Sequence, residues 1–218
     1  MANYLFNWHI AAIRHGMGIR TEFSGQTPNH AAFIFINHPS YFDVFYLVSR
    51  HPFSMVVAKE FKYWPFIGWL GMSMKTKFIN RKDPELRHVI RKSCVEVYKE
   101  NKSMIIAVEG KTAGSNATQP VKPGMFKEAV VNKIPVAFGG IYYRQPEATY
   151  FHDLSSTFVR DVFQHLWSNL KRRRTNVIVR YSEPQIFESV ESGIRKFYDF
   201  LESQYGDKED FAILDTRF

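Results

Sequence analysis

In the stretch Asn37-His38-Pro39-Ser40-Tyr41-Phe42-Asp43, an imidazole and a carboxylate stand five residues apart, directly after the apolar run Ala31 to Ile36. A His at the end of a buried strand, with a carboxylate to hold its ring, is a compact way to build an oriented general base. On one continuous helix this spacing would put the two on different faces. Pro39, however, disfavours the helical region for His38 and suits the first turn of a helix. The segment therefore reads strand, turn, helix start, with Asp43 in the first turn and able to reach back to His38. Ser40 is placed to cap that helix rather than to serve as a nucleophile.

Two further places carry groups suited to a ligand. Arg81 follows the expected strand Lys75 to Asn80, and in an open α/β sheet ligands bind outside the carboxyl ends of the strands. A guanidinium there fits a phosphate, or forms a salt bridge with Asp83. Ile105-Ile106-Ala107-Val108-Glu109-Gly110-Lys111-Thr112 contains a Gly-Lys-Thr, but a phosphate-binding P-loop needs another Gly where Ile105 stands, so that reading is rejected. What remains is a carboxylate, Glu109, and a flexible Gly110 at a strand end, followed by Lys111 at the same edge. The eight His show no metal-ligand spacing, and no metal is expected.

These residues need a scaffold, and the chain supplies one from residue 31 onward. Short apolar runs alternate with helical patterns, the signature of an α/β domain whose central sheet is mostly parallel and flanked by helices. The expected strands are Ala31 to Ile36, Phe53 to Ala58, Lys75 to Asn80, Ser103 to Val108, Pro135 to Tyr142 and Thr175 to Tyr181. A helix begins at Asp83-Pro84 and carries Leu86, Val89, Ile90, Cys94, Val97 and Tyr98 on one stripe. Phe158, Val162, Phe163, Leu166, Trp167 and Leu170 make a second stripe, and Ile186 to Gln204 a third helix. The 218 residues suit one α/β domain over 21–218, preceded by an amphipathic segment over 1–20. A single cysteine, Cys94, excludes an intramolecular disulfide and is compatible with a reducing compartment.

A net charge of +8 favours anionic partners. The 35 aromatic residues gather in apolar clusters instead of interleaving with Lys and Arg along a stripe, which argues against nucleic acid and for a membrane surface. Phe61, Tyr63, Trp64, Phe66 and Trp69 form one such cluster, a core element or a face for acyl chains or membrane. Met1 to Ile13 lacks charged side chains, is too short for a span of ~20 apolar residues, and has no signal-peptide pattern. It reads as an amphipathic helix, docked on the core or lying in a membrane interface. Lys171-Arg172-Arg173-Arg174 ends a helix, where cations complement the dipole and also suit anionic lipid. The expected location is the cytoplasmic side, with peripheral membrane association and no transmembrane span.

The order of Asn37-His38-x4-Asp43, Phe78-Ile79-Asn80-Arg81, Glu109-Gly110 and Ile134-Pro135-Val136-Ala137 resembles the glycerolipid acyltransferases, the lysophospholipid and 1-acylglycerol-3-phosphate acyltransferase superfamily. Ala58 to Gly71 and Val121 to Ala129 are also similar to that family's intervening segments, so the resemblance runs from about residue 20 to about residue 185. It implies that His38 deprotonates an acceptor hydroxyl for attack on an acyl thioester and that Asp43 orients His38. It further implies that Arg81 binds the acceptor's phosphate and that Glu109 and Gly110 place its glycerol part. The implied partners are an acyl donor, acyl-CoA or an acylated carrier protein, and a lysolipid acceptor, with no cofactor. A hydrolase using the same site, or a non-catalytic lipid-binding protein, are the competing expectations. The family's third motif reads Phe-Pro-Glu-Gly-Thr-Arg, whereas here Ala107-Val108-Glu109-Gly110-Lys111-Thr112 lacks the Arg and carries Lys111 one position early. That departure points away from a lysophosphatidate acceptor and toward a larger headgroup or a lyso-aminolipid.

Overall fold

The computed structural model describes residues 15–43, 54–58, 77–79, 84–116, 118–150, 158–172 and 174–204, with single positions 8, 11, 12, 47 and 62. Among the described residues seven strands form one sheet: β1 (Ile19–Ser24), β2 (Phe33–Ile36), β3 (Ser54–Ala58), β4 (Lys77–Ile79), β5 (Met104–Ala107), β6 (Val136–Tyr143) and β7 (Thr175–Tyr181). Their spatial order is β1-β7-β6-β2-β5-β3-β4. Every neighbouring pair is parallel except β6 with β7, whose antiparallel register sets Gly139 opposite Tyr181. The carboxyl ends of β6, β2, β5, β3 and β4 consequently share one edge. The segments carrying His38 and Glu109 leave the sheet at that edge, and Arg81 follows β4 outside the described residues.

Among the described residues the helices of eight or more residues are α1 (Pro84–Lys99), α2 (Pro123–Val131), α3 (Phe158–Arg172) and α4 (Val190–Gln204). In β2, a continuous apolar run buried throughout, alternate side chains leave opposite faces. Phe33 and Phe35 join Cys94, Phe126, Phe138, Phe197 and Leu201 in a core formed with α1, α2 and α4. Ile34 and Ile36 join Ile105, Ile141, Tyr143, Val177 and Val179 on the other face, covered by Phe42, Leu47 and, at its margin, Leu166 of α3. The turn after β2 therefore packs back over the sheet that launches it.

Six strands lie where the sequence pattern puts them, to within a few residues at each end. β1 is an addition. It begins inside the 1–20 stretch set apart as an amphipathic segment, and Ile19 and Arg20 pair with Thr175 and Asn176. Its alternating burial, with polar Arg20 and Glu22 outward, is that of an edge strand and leaves no apolar run to recognise. α2 is likewise additional, and α4 begins at Val190 rather than Ile186. The α3 stripe divides: Val162 is buried, while Phe163, Trp167 and Leu170 are exposed. The aromatic cluster Phe61 to Trp69 lies outside the described residues. No helix among the described residues is long and apolar enough to cross a membrane.

Gly139 of β6 is the register partner of Ile36, the last residue of β2 before the turn that carries His38. A Cβ at Gly139 would lie 2.8 Å from Ile36 Cγ2, so the strands meet only because no side chain is present there. Gly139→Ala is expected to cost about 1–3 kcal/mol by overpacking, lowering the thermal midpoint by roughly 2–12 °C. Calorimetry checks this.

Candidate active site

The turn leaving β2 is held on three sides. Asn37 acts as one more rung of the sheet: its Nδ2 donates to Ile141 O at 2.9 Å and its Oδ1 accepts from Ile141 N–H at 2.8 Å. The His38 carbonyl accepts from Ala113 N–H at 2.8 Å, and the Pro39 carbonyl accepts from Tyr150 N–H at 3.0 Å. With both flanks bonded to the backbone of other segments, the imidazole is presented from a fixed base.

Asp43 reaches back to that ring. Its Oδ2 lies 2.8 Å from His38 Nδ1 and also accepts the Ser40 N–H at 3.2 Å. Oδ1 accepts the Tyr143 hydroxyl at 2.7 Å. A carboxylate only accepts, so Nδ1 carries the shared proton and Nε2 is the ring nitrogen left to take one from a substrate. The His38 side chain is 17% exposed while that of Asp43 is 1% exposed, so the imidazole borders solvent and its orienting group is shielded from water. The Ser40–Asp43 pairing, with Phe42 N–H directed at Ser40 Oγ at 3.5 Å, is a reciprocal cap at the helix start. Ser40 itself is fully buried, in keeping with a capping residue.

Tyr143 is the residue that sequence reasoning passed over. It sits 100 positions from Asp43, and only the pairing of β6 beside β2 brings them together. Asn116 fixes it in turn, donating from Nδ2 to Tyr143 O and accepting from Tyr143 N–H, both at 2.8 Å. Asn37 and Asn116 thus grip β6 at alternate residues, Ile141 and Tyr143. A buried hydroxyl requires a partner, but neither spacing nor periodicity in the sequence says which one.

Glu109 follows β5 beside this turn, with Ala107 and Ile36 in register as the last residues of their strands. Its side chain is buried, and neither carboxyl oxygen makes a full hydrogen bond. Burial pushes its pKa well above the usual carboxylate value and the Asp43 charge adds to this. The nearby amides of His38 and Gln119 and the Lys111 charge oppose the shift without cancelling it. The carboxyl therefore faces the backbone of the His38 turn from within. Gly110 adopts φ +75°, and a Cβ there would stand 2.8 Å from Lys122 Nζ. Lys122 is a second residue missed from sequence, a cation folded over Gly110. Lys111 is exposed, and Thr112 is buried at the position of the family's Arg. His38, Asp43, Glu109 and Gly110 come together at one edge of the sheet, with Lys111 beside them.

The titration of Glu109 has a defined sign. The folded chain keeps a proton that the unfolded chain releases above about pH 4.5, so stability falls as pH rises toward the folded pKa. Glu109→Gln cannot ionise and removes that slope. Its thermal midpoint is expected to exceed the parent's at neutral pH, with the gain vanishing below pH 4.5. Thermal denaturation across pH checks both arms.

The Acyltransferase family model matches residues 18–138, which include His38, Asp43, Arg81 and Glu109. Lyso-ornithine lipid O-acyltransferase of Pseudomonas aeruginosa is 24% identical over 83% of this chain and 69% of its own. A 1-acyl-sn-glycerol-3-phosphate acyltransferase of Neisseria gonorrhoeae is 26% identical over 52% of this chain, and the match spans 46% of that enzyme. The crystal structure of the 1-acyl-sn-glycerophosphate (LPA) acyltransferase PlsC from Thermotoga maritima shares the fold. It superposes with a TM-score of 0.59 at 14% identity, over 95% of this chain and 85% of that one. With its family match covering more than half of its length, the chain belongs to the Acyltransferase family, and the relatives it resembles are named acyltransferases.

Proposed function

We propose that this protein moves a fatty acyl group from a thioester donor to the hydroxyl of a lysolipid, with His38 as general base. The donor is acyl-CoA or an acylated carrier protein, and the reaction takes place at the cytoplasmic surface of a membrane. The observation that carries this reading is the His38–Asp43 pair, 2.8 Å apart and unequally exposed. Nε2 takes the proton of the acceptor hydroxyl as its oxygen attacks the thioester carbonyl. The resulting imidazolium is stabilised by Asp43, and its proton passes to the departing thiolate as the C–S bond breaks. An ester and a free thiol result, with no covalent enzyme intermediate.

Asp43 holds Nδ1 and Tyr143 holds Asp43, so the ring keeps one tautomer and one orientation through the cycle. Arg81, after β4, binds a phosphate or other anionic group of the acceptor. Gly110 and Lys111 border the acceptor, while Glu109 supports the His38 turn from behind. The acceptor class we favour is a lyso-aminolipid. Thr112 replaces the family's Arg, and the relative aligned over the larger share of the chain is named for a lyso-ornithine lipid.

His38→Ala is expected to lower kcat about 100- to 10,000-fold with folding unchanged. Purified protein, acyl-CoA or acyl carrier protein, and a panel of lysolipids read by mass spectrometry test this. Full transfer by the variant would remove His38 from the mechanism, and donor consumption that ignores the acceptor would assign a hydrolase. Arg81→Ala is expected to raise KM for anionic acceptors and leave uncharged ones as they are. An equal loss with every acceptor contradicts an anion-binding role.

A further inference from the structure

Among the described residues the exposed aromatic rings are Trp8, Phe163 and Trp167, and two of these three lie on α3. Phe163 is 65%, Trp167 62% and Leu170 37% exposed. At about 100° per residue these positions fall within roughly 60° of one another, one stripe along the helix. It is not the stripe that α3 packs inward, because Val162 and Asn169 are buried on a different side. Cations border it. Arg160 and Lys171 fall on its outer flank by the same helical count, Lys171 Nζ stands 5.5 Å from the Trp167 ring centre, and Arg174 is exposed just past the helix end.

We propose that this face of α3 is the surface by which the protein docks on an anionic bilayer. Phe163, Trp167 and Leu170 enter the headgroup boundary while Arg160, Lys171 and Arg174 meet lipid phosphates. Aromatic residues bordered by Lys and Arg have the composition of an interfacial helix. The charge favours lipid over a second copy, since a symmetric contact would bring two basic helix ends together on chains that each carry +8. The inner side of α3 touches the catalytic turn: His165 Nδ1 lies 2.9 Å from the Tyr41 hydroxyl, and the His165 ring stacks on Phe42 at 5.5 Å. A bilayer against α3 therefore stands one helix away from His38, where an acceptor leaving the membrane has to arrive. The inference rests on the reading that the acceptor is a lysolipid taken from a membrane.

The test is co-sedimentation of the full chain with vesicles of phosphatidylcholine, with and without phosphatidylglycerol. Binding is expected to the anionic vesicles and to fall with salt. Phe163→Ser with Trp167→Ser should weaken it at least about tenfold. Quenching of tryptophan emission by brominated lipid chains should drop in Trp167→Phe. Acyl transfer to a lysolipid kept below its aggregation threshold should be unchanged in the double variant. Unaltered vesicle binding in that variant overturns the docking face. So does its unfolding, which would mean the stripe is packed inside, or the loss of a dimer on sizing, which would mean the stripe contacts another copy. Loss of transfer to the dispersed acceptor would place the stripe in the substrate site instead. Vesicle binding by the parent with no acyl transfer to any acceptor would remove the proposed activity and leave the docking face standing.

Discussion

A carboxylate with no exposure has to be met by donors wherever it sits, and the arrangement around Asp43 follows from that requirement. Among its donors are the His38 imidazole, the Ser40 amide and the Tyr143 hydroxyl. Each fixes a different part of the molecule. The Ser40 amide shapes the turn, Tyr143 joins that turn to β6, and His38 receives its orientation as the third partner. Of these three the imidazole is the exposed one, so the group proposed to move a proton is not sealed from solvent. Removing any donor would leave a buried acceptor unsatisfied, at about 1–3 kcal/mol. Folding and the geometry of the base therefore draw on the same contacts.

Glu109 shows the opposite solution a short distance away. Its carboxyl is equally buried and lacks full hydrogen bonds, and its environment favours the neutral form. Two acids beside one turn are thus separated in character by donors alone: one surrounded, the other nearly bare. Keeping Glu109 neutral spares Asp43 a like charge across the His38 backbone. It also leaves the positive field at this edge to Lys111 and Lys122, on the solvent side of Gly110.

What was legible in the sequence is what is local. The His-x4-Asp spacing, the proline that turns it, and the apolar runs of β2, β5 and β7 are properties of a few consecutive residues, and they place the site at the strand ends. β1 escaped notice because an edge strand that alternates Arg20 and Glu22 with Ile19 and Phe23 has no continuous apolar run. Tyr143 and Asn116 escaped because their partners are set by strand order, which spacing does not encode. Glu109 was legible as a strand-end carboxylate but not as a buried one. The α3 stripe failed in a different way. Phe163, Trp167 and Leu170 have the periodicity of a packed face, and periodicity is equally satisfied by a face that packs against something other than protein.

That ambiguity bears on how the site meets its substrate. α3 has two working sides about a third of a turn apart: an inner one that holds Val162, and an outer one that holds Phe163 and Trp167. His165 lies on the inner side, and its ring joins Tyr41 and Phe42 of the turn after β2. Burial lowers the His165 pKa, and burial together with the Tyr150 neighbour raises that of Tyr41. Both therefore stay neutral, with the Tyr41 hydroxyl paired to Nδ1 and with Asn169 Nδ2 and Glu147 O 3.1 and 3.3 Å from Nε2. A neutral bond of this kind is indifferent to the salt and charge of a nearby surface, unlike the cations on the outer side. On the proposed docking, Arg160, Lys171 and Arg174 meet the anionic surface while the contact of α3 with the turn that carries His38 is unaffected by the same field.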